Sequence, residues 1–393
     1  MKNFEFHVDT NVLFGRGQIE KLGSGIRAYT DKVLMVYGGG SIKRNGIYHD
    51  VMKTLKDSNI QVVELSGVQP NPRIESVMQG AKLCKEEGIG GVLAVGGGSS
   101  IDCAKVIAAA ALYDGEPWDL VIHPSRIERA LPVFTVLTMA ATGSEMDRAA
   151  VISKMDTNEK YGTHSDYFIP RISVMDPSYT FTVPAKHTAA GVADIMSHTF
   201  ENYFNSEDAY FQGQLALAVL KTCVKYGPEA LANPKSYEAR ANIMWASSWA
   251  INGLLQKGCA VPWSVHSMEH ELSAFYDVTH GQGLAVLTPS WMRYVLTEEN
   301  AGKFAEYGRV VWDIDGENDL EIAKKAIDRT ESFFTEDLGI PSSLEELGIG
   351  RENLNIMAEK AVRGKAIKGF KTLVKDDVLK IYEDCLKSRK VNK

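Results

Sequence analysis

The chain has little of what would mark it for export, a membrane or a nucleic acid. Its five cysteines, Cys84, Cys103, Cys223, Cys259 and Cys385, are odd in number, scattered, and include no CxxC pair. That excludes a disulfide framework and a zinc ribbon, and predicts reduced thiols in a cytoplasmic compartment. The longest apolar run, residues 106–113, is far too short to cross a bilayer. The opening MKNFEFHVDTNVLFGRG has no apolar stretch behind a basic end and carries Glu5 and Asp9, so no secretory leader is expected. Basic charge is not in excess either: the formal net charge of −7 gives no electrostatic reason to approach phosphate backbones or anionic lipid. The expected partner is a small molecule, with no nucleic acid and no membrane.

At 393 residues the chain exceeds what one hydrophobic core usually serves, so two domains are expected. The first part alternates short β-rich runs with helix-length segments. Residues 32–37 (KVLMVY) end in Gly38-Gly39-Gly40, residues 60–65 are IQVVEL, residues 91–95 (GVLAV) end in Gly96-Gly97-Gly98, and residues 133–137 (VFTVL) lead into Thr138. Such alternation predicts βαβ units and a mostly parallel sheet. Beyond residues 176–177 the texture changes: residues 185–203, 212–225 and 237–255 carry apolar side chains at helical spacing. Pro184 suits the first turn of a helix, so the boundary is placed near residues 180–184. An α/β domain over 1–182 and a helical domain over 183–393 are expected, with a ligand cleft at their junction.

Residues 93–102 (LAVGGGSSID) read as strand, glycine turn and helix start. Glycines let backbone N–H groups approach a pyrophosphate, and the helix N-terminus adds free donors and the positive end of its dipole. GGGS is not the GxGxxG fingerprint, and a turn can need glycine for geometry alone. The earlier turn, Gly38-Gly39-Gly40-Ser41, offers a hydroxyl and the nearby cations Lys43 and Arg44 in place of an acidic residue, which leans toward NADP(H) over NAD(H).

Asp194 and His198 stand at i and i+4 in a helical segment, on one face, where both can reach one ion. Residues 265–281 (VHSMEHELSAFYDVTHG) hold three of the nine histidines, His266, His270 and His280. His266 and His270 share a helical face, and either could be a ligand. His280 precedes Gly281, as at a turn folding back toward the site. Imidazoles with one carboxylate suit Fe²⁺ or Zn²⁺ better than Mg²⁺ or Ca²⁺.

The motifs GGGSSID at 96–102, TMAATGSE at 138–145, DPSYTFTVPA at 176–185, GVADIMSHTFE at 191–201 and VHSMEHELSAFYDVTHGQG at 265–283 together resemble the iron-containing (group III) alcohol dehydrogenases. Within that family they resemble the butanol dehydrogenase and broad aldehyde reductase branch, over essentially the whole chain. The resemblance implies an N-terminal Rossmann-like α/β domain and an all-α C-terminal domain, the dehydroquinate synthase-like architecture, with a homodimer as the assembly. It implies metal ligation by Asp194, His198, His266 and His280, leaving His270 near the ion either as a residue behind the ligands or as a proton relay. It implies contact of Gly96, Gly97, Gly98 and Ser99 with the pyrophosphate, of Asp102 with the ribose on the nicotinamide side, and of Thr138 and Thr142 with the middle of the cofactor. Where many relatives carry an aspartate this chain has Gly39, so Ser41 and Lys160 are the expected surroundings of a 2′-phosphate, although glycine also occurs there in NADH-dependent members.

The function expected is hydride transfer between a nicotinamide and a primary aliphatic alcohol or aldehyde such as 1-butanol or butanal. Pro262-Trp263, Phe275-Tyr276 and the segment around Met146 and Ile152 are expected to line an apolar pocket. Alternatives are a polyol dehydrogenase of the same fold, a lyase of the dehydroquinate synthase type, and a metal- and nucleotide-binding sensor without turnover. The lyase would need a cluster of Lys and Arg beside the histidines, which the helical half lacks.

Overall fold

The computed structural model describes residues 1–205, 207 and 209–388. Two compact units form, and they do not follow a single cut in the chain. One comprises His7–Val183 and Pro234–Asn252; the other comprises Met1–Phe6, Pro184–Asn233 and the chain from Gly253 onward.

The first unit is built on a six-stranded sheet of β1 (Asn11–Phe14), β2 (Lys32–Val36), β3 (Gln61–Leu65), β4 (Gly91–Gly96), β5 (Val133–Leu137) and a later strand, β8 (Ile172–Met175). Its order is β1-β8-β5-β4-β2-β3 and every pairing is parallel. Because side chains alternate along a strand, Leu34, Val36, Val92 and Ala94 feed one apolar layer while Val33, Met35, Leu93 and Val95 feed the other. Both faces are therefore covered, which explains strands read as continuous apolar runs.

The strand order reverses at β2. The chain leaves β2 for β3 on one side, and β4 returns on the other, in register with β2 through Val36 and Ala94. Open α/β sheets bind ligands at the carboxyl ends of the strands at such a reversal. Gly38-Gly39-Gly40 follows β2 and Gly97 follows β4, so both glycine turns flank that point.

A two-stranded antiparallel hairpin, β6 (Ala149–Lys154) with β7 (Glu159–His164), was not expected from the sequence. Its turn is tightened by Asn158 at φ 49°, a conformation asparagine tolerates better than most residues. The helix Tyr237–Ile251 belongs to this unit although it lies in the helical half of the sequence. It is fixed there by Trp245 against Phe14 and by Ser248 donating to Glu145.

The second unit is helical, with Ala185–Tyr203, Tyr210–Ala232, Ser264–Tyr276 and His280–Val295 as its main inner helices. Pro184 is the residue before the first of these, at ψ 147°, and the helical turn begins at Ala185. No helix of the described residues is long and apolar enough to cross a membrane.

Candidate metal centre and glycine turns

The helix Ala185–Tyr203 is buried along most of its length, so its polar residues Asp194 and His198 face into the helical unit. Both are nearly inaccessible to solvent. His266 comes from the first turn of Ser264–Tyr276, and His280 is the first residue of His280–Val295. His280 thus opens a helix and does not sit in a turn. The glycine after it has a packing reason: a Cβ on Gly281 would stand 1.9 Å from the carbonyl oxygen of Ala190. Only glycine lets these two helices approach closely enough to bring His280 beside Asp194.

The four side chains converge. Asp194 Oδ1 lies 3.6 Å from His198 Nε2, 4.0 Å from His266 Nε2 and 3.8 Å from His280 Nε2. Donors around an ion at about 2.1 Å would stand roughly 3.4 Å apart in a tetrahedral shell, little less than these three separations. Donor atoms of Asp194, His198 and His266 lie within 4.8 Å of one another, and those of Glu269, His270 and His280 form a second such group. His266 Nε2 is buried with no hydrogen-bond partner among the described residues, as a nitrogen reserved for an ion would be. Burial, then the neighbouring imidazoles of His266 and His280, hold the His198 pKa well below the ordinary histidine value, which keeps the ring neutral and its lone pair available. The donor set fits a divalent ion of the iron or zinc type.

Behind the imidazoles stand two carboxylates whose roles the sequence reading missed. Glu201 Oε1 lies 2.6 Å from His266 Nδ1, and Glu269 Oε2 is hydrogen-bonded to His280 Nδ1. Carboxylates in this position fix the tautomer and aim the other nitrogen. A signal for Glu201 existed: it follows Asp194 by seven residues and His198 by three, on the same helical face. Glu269 needs Gly283, where a Cβ would come within 2.9 Å of its Cγ.

His270 is also buried, its ring centre 5.8 Å from that of His280 and 6.3 Å from that of His266. Trp263 stands edge-on to His266 and His198, at 5.2 and 6.1 Å between ring centres. Three other expected pocket residues are engaged elsewhere. Ile152 is in the core of the α/β unit, Tyr276 bonds to Glu352 and Asn353, and Lys360 lies over the Phe275 ring.

In the α/β unit, β4 runs almost directly into the helix Gly98–Ala110, with Gly97 at the cap and no side chain closing the first turn. That leaves N–H donors for an anion. Thr142 covers Gly98, where a Cβ would sit 2.3 Å from its Oγ1, and the Thr138 amide donates to the Gly96 carbonyl. Gly96, Gly97, Gly98, Thr138 and Thr142 are therefore brought together. Asp102 is turned inward: its oxygens accept from Ser144 Oγ at 2.6 Å and from the Val151 amide at 2.9 Å, and burial pushes its pKa up to about 6. Lys160 is buried and donates to Asn71 Oδ1 at 3.0 Å.

At the first turn, Ser41 begins the short helix Ser41–Arg44, and an added Cβ on Gly39 would meet nothing within 4 Å. An acidic group is present nearby after all, supplied by the neighbouring strand. Glu64 of β3 accepts from the hydroxyls of Tyr37 and Tyr48, both at 2.6 Å, and pairs with Lys43 at 3.3 Å. Lys43 also lies over both tyrosine rings. Its charge is thus partly paired at the surface, which weakens the argument for NADP(H) drawn from that lysine.

The chain matches the family model described as "Iron-containing alcohol dehydrogenase" over residues 9–177 and that described as "Fe-containing alcohol dehydrogenase family, C-terminal" over residues 188–386. It is 54% identical to the NADH-dependent butanol dehydrogenase A of Clostridium acetobutylicum, covering 98% of this chain and 99% of that protein. Its identity to the NADPH-dependent aldehyde reductase YqhD of Escherichia coli is 39%, covering 92% and 93% of the two chains. The crystal structure of NADH-dependent butanol dehydrogenase A from Thermotoga maritima superposes with a TM-score of 0.95 at 39% identity, over 98% of this chain and 99% of that one. Two family models that between them span nearly the whole sequence, and relatives matched end to end, place this chain in the iron-containing alcohol dehydrogenase family.

Proposed function

We propose that the protein interconverts primary aliphatic alcohols such as 1-butanol and their aldehydes, using a divalent ion held by Asp194, His198, His266 and His280. The observation that carries the reading is the approach of three imidazole Nε2 atoms to one buried carboxylate oxygen. A divalent ion held there would supply Lewis acidity, and a nicotinamide would supply the hydride chemistry. The chain's own residues do the rest. Glu201 and Glu269 hold two imidazoles in one tautomer. The N-terminus of Gly98–Ala110 offers its amides to the pyrophosphate, with Thr138 and Thr142 beside it. Trp263 gives the metal site an apolar wall suited to an alkyl chain, which favours a monohydric alcohol over a polyol. Oxidation of the alcohol releases one proton besides the hydride, and we assign His270 to carry it.

In this reading residues 1–182 supply the dinucleotide contacts and residues 183–393 the ion, iron or zinc. NAD(H) is the favoured form: Lys43 is paired with Glu64, and the Clostridium relative is NADH-dependent by name. A cytoplasmic homodimer completes the proposal, the location resting on five free cysteines and the assembly on family resemblance.

The test is turnover of linear aldehydes from ethanal to octanal with NADH and NADPH, on protein stripped by chelator and reloaded with Fe²⁺ or Zn²⁺. Activity should vanish on stripping, return on reloading, and peak at intermediate chain length with NADH. Full activity in stripped protein would overturn the metal reading; a preference for a diol would overturn the substrate. The variant His270→Ala should retain its ion and lose on the order of a hundredfold in kcat, the usual size of a general acid–base contribution.

A further inference from the structure

The helix Ser264–Tyr276 starts without a side-chain cap of its own. The residue at its cap position is Trp263, held in the left-handed region at φ 53°, and an indole has no acceptor to offer. The first amides of a helix have no partner within it and must find one elsewhere. Here the amides of Val265 and His266 both donate to the carboxylate of Glu201, at 3.0 Å to Oε2 and 2.9 Å to Oε1. The same Oε1 lies 2.6 Å from His266 Nδ1. Glu201 is only 1% exposed, so these bonds form out of water, where a carboxylate accepting from several donors is held firmly.

We propose that Glu201 is a positioning residue that couples the first turn of the helix Ser264–Tyr276 to occupation of the metal centre. The inference rests on the reading that Asp194, His198, His266 and His280 hold an ion. One carboxylate does two jobs: it closes the helix and it takes the Nδ1 proton of His266, which leaves the Nε2 lone pair facing Asp194. Consequently the ring cannot turn away without disturbing the cap, and the helix start cannot fray without releasing the ring. An ion that holds Nε2 therefore tightens the amides of Val265 and His266, although it touches neither. Glu269 provides an internal comparison. It holds His280 Nδ1 in the same manner from the interior of its helix, where it also accepts from the Ser273 hydroxyl.

The experiment compares the full-length protein with Glu201→Gln and Glu269→Gln. Zn²⁺ affinity is read by competition with a chromogenic chelator, and hydrogen exchange is read at single-amide resolution with and without Zn²⁺. Both variants are expected to bind Zn²⁺ about ten- to a hundredfold more weakly, the usual effect of removing a carboxylate behind a ligating imidazole. Only Glu201→Gln should speed exchange at Val265 and His266, about tenfold or more, in zinc-free as well as loaded protein. In the unmutated chain Zn²⁺ should slow these two amides to a similar degree, a measurement that holds even if Glu201→Gln does not fold. Unchanged zinc affinity in Glu201→Gln overturns the positioning role. Exchange at Val265 and His266 that does not respond to Zn²⁺ in the unmutated chain overturns the coupling. Failure of the functional reading looks different: the unmutated chain then takes up no Zn²⁺ at all, while Glu201→Gln still exchanges faster at the helix start.

Discussion

Each unit contains a buried polar cluster, and the two are built in opposite ways. In the α/β unit, Lys105 is fully buried and its ammonium donates to Asp147 Oδ1 at 2.5 Å, to the Asp147 carbonyl at 3.1 Å and to the Ala149 carbonyl at 2.9 Å. Asp102 beside it accepts from Ser144 and Val151. Around Lys105 and Asp102, donors meet acceptors, and these contacts are supplied by the chain itself. In the helical unit the outer atoms are tied down, Nδ1 of His266 by Glu201 and Nδ1 of His280 by Glu269. The inner atoms instead bring acceptor beside acceptor: a carboxylate oxygen faces the Nε2 lone pairs of both rings. Acceptors cannot satisfy one another without a proton or a cation. Buried polarity therefore marks structure where donors and acceptors alternate, and marks a candidate site where metal-ligating atoms crowd around one carboxylate oxygen.

The sharpest way to break the comparison is to remove a member of each cluster. His280→Ala takes away one of four converging donors and leaves Glu269 without its imidazole. Bound metal and activity should be lost together, with kcat/KM falling on the order of a thousandfold or more, as expected when a Lewis acid worth several kcal/mol is removed. Metal analysis beside steady-state kinetics decides; a variant that keeps a full equivalent of metal would show that His280 is not a ligand. Lys105→Met should do the reverse. It strands the Asp147 carboxylate in a dry interior, at a cost of about 3–5 kcal/mol in stability, while zinc affinity stays as in the parent. Urea denaturation with metal titration tests this, and a stability change below about 1 kcal/mol would mean the cluster had rearranged to accommodate the loss.

The same contrast explains how much could be read in advance. β2 and β4, with their glycine turns, and β5 were legible because their strands are buried on both faces and so appear as unbroken apolar runs. β1 and β8 are four residues each, too short for periodicity to distinguish from loop. The helix Tyr237–Ile251 was legible as a helix but not as part of the α/β unit, since its partners Phe14 and Glu145 lie about a hundred residues or more away in sequence. At the candidate metal centre, spacing put Asp194 and His198 on one helical face, and in the fold Asp194 Oδ1 lies 3.6 Å from His198 Nε2. Spacing could not choose between His266 and His270, which share a helical face, whereas the folded chain brings His266 Nε2 to 4.0 Å from Asp194 Oδ1. Glu64 was passed over because its relation to the Gly38-Gly39-Gly40 turn is one of strand neighbours and not of sequence.

The closed cluster has one member that does not quite close, and it yields the smallest of the expected effects. Glu145 is fully buried; its Oε1 accepts from Ser248, while its Oε2 has no partner among the described residues. Burial pushes its pKa up to about 7 from an ordinary 4.5. A carboxyl whose pKa is raised by folding prefers the folded state when protonated. Its contribution is thus complete below about pH 4.5 and is lost as pH rises through 7, an effect of about 3 kcal/mol at most. Glu145→Gln imitates the neutral acid and keeps the Ser248 bond. The variant should match the parent below pH 5 and exceed it in stability above pH 7, so that the two melting curves diverge across that window. Asp102, pushed up to about 6 by burial, keeps a similar slope at lower pH in both proteins, which leaves the divergence itself as the signature of Glu145. Parallel stability profiles from pH 5 to pH 8 would mean that Glu145 is already ionised in the fold and that a cation or water serves its second oxygen.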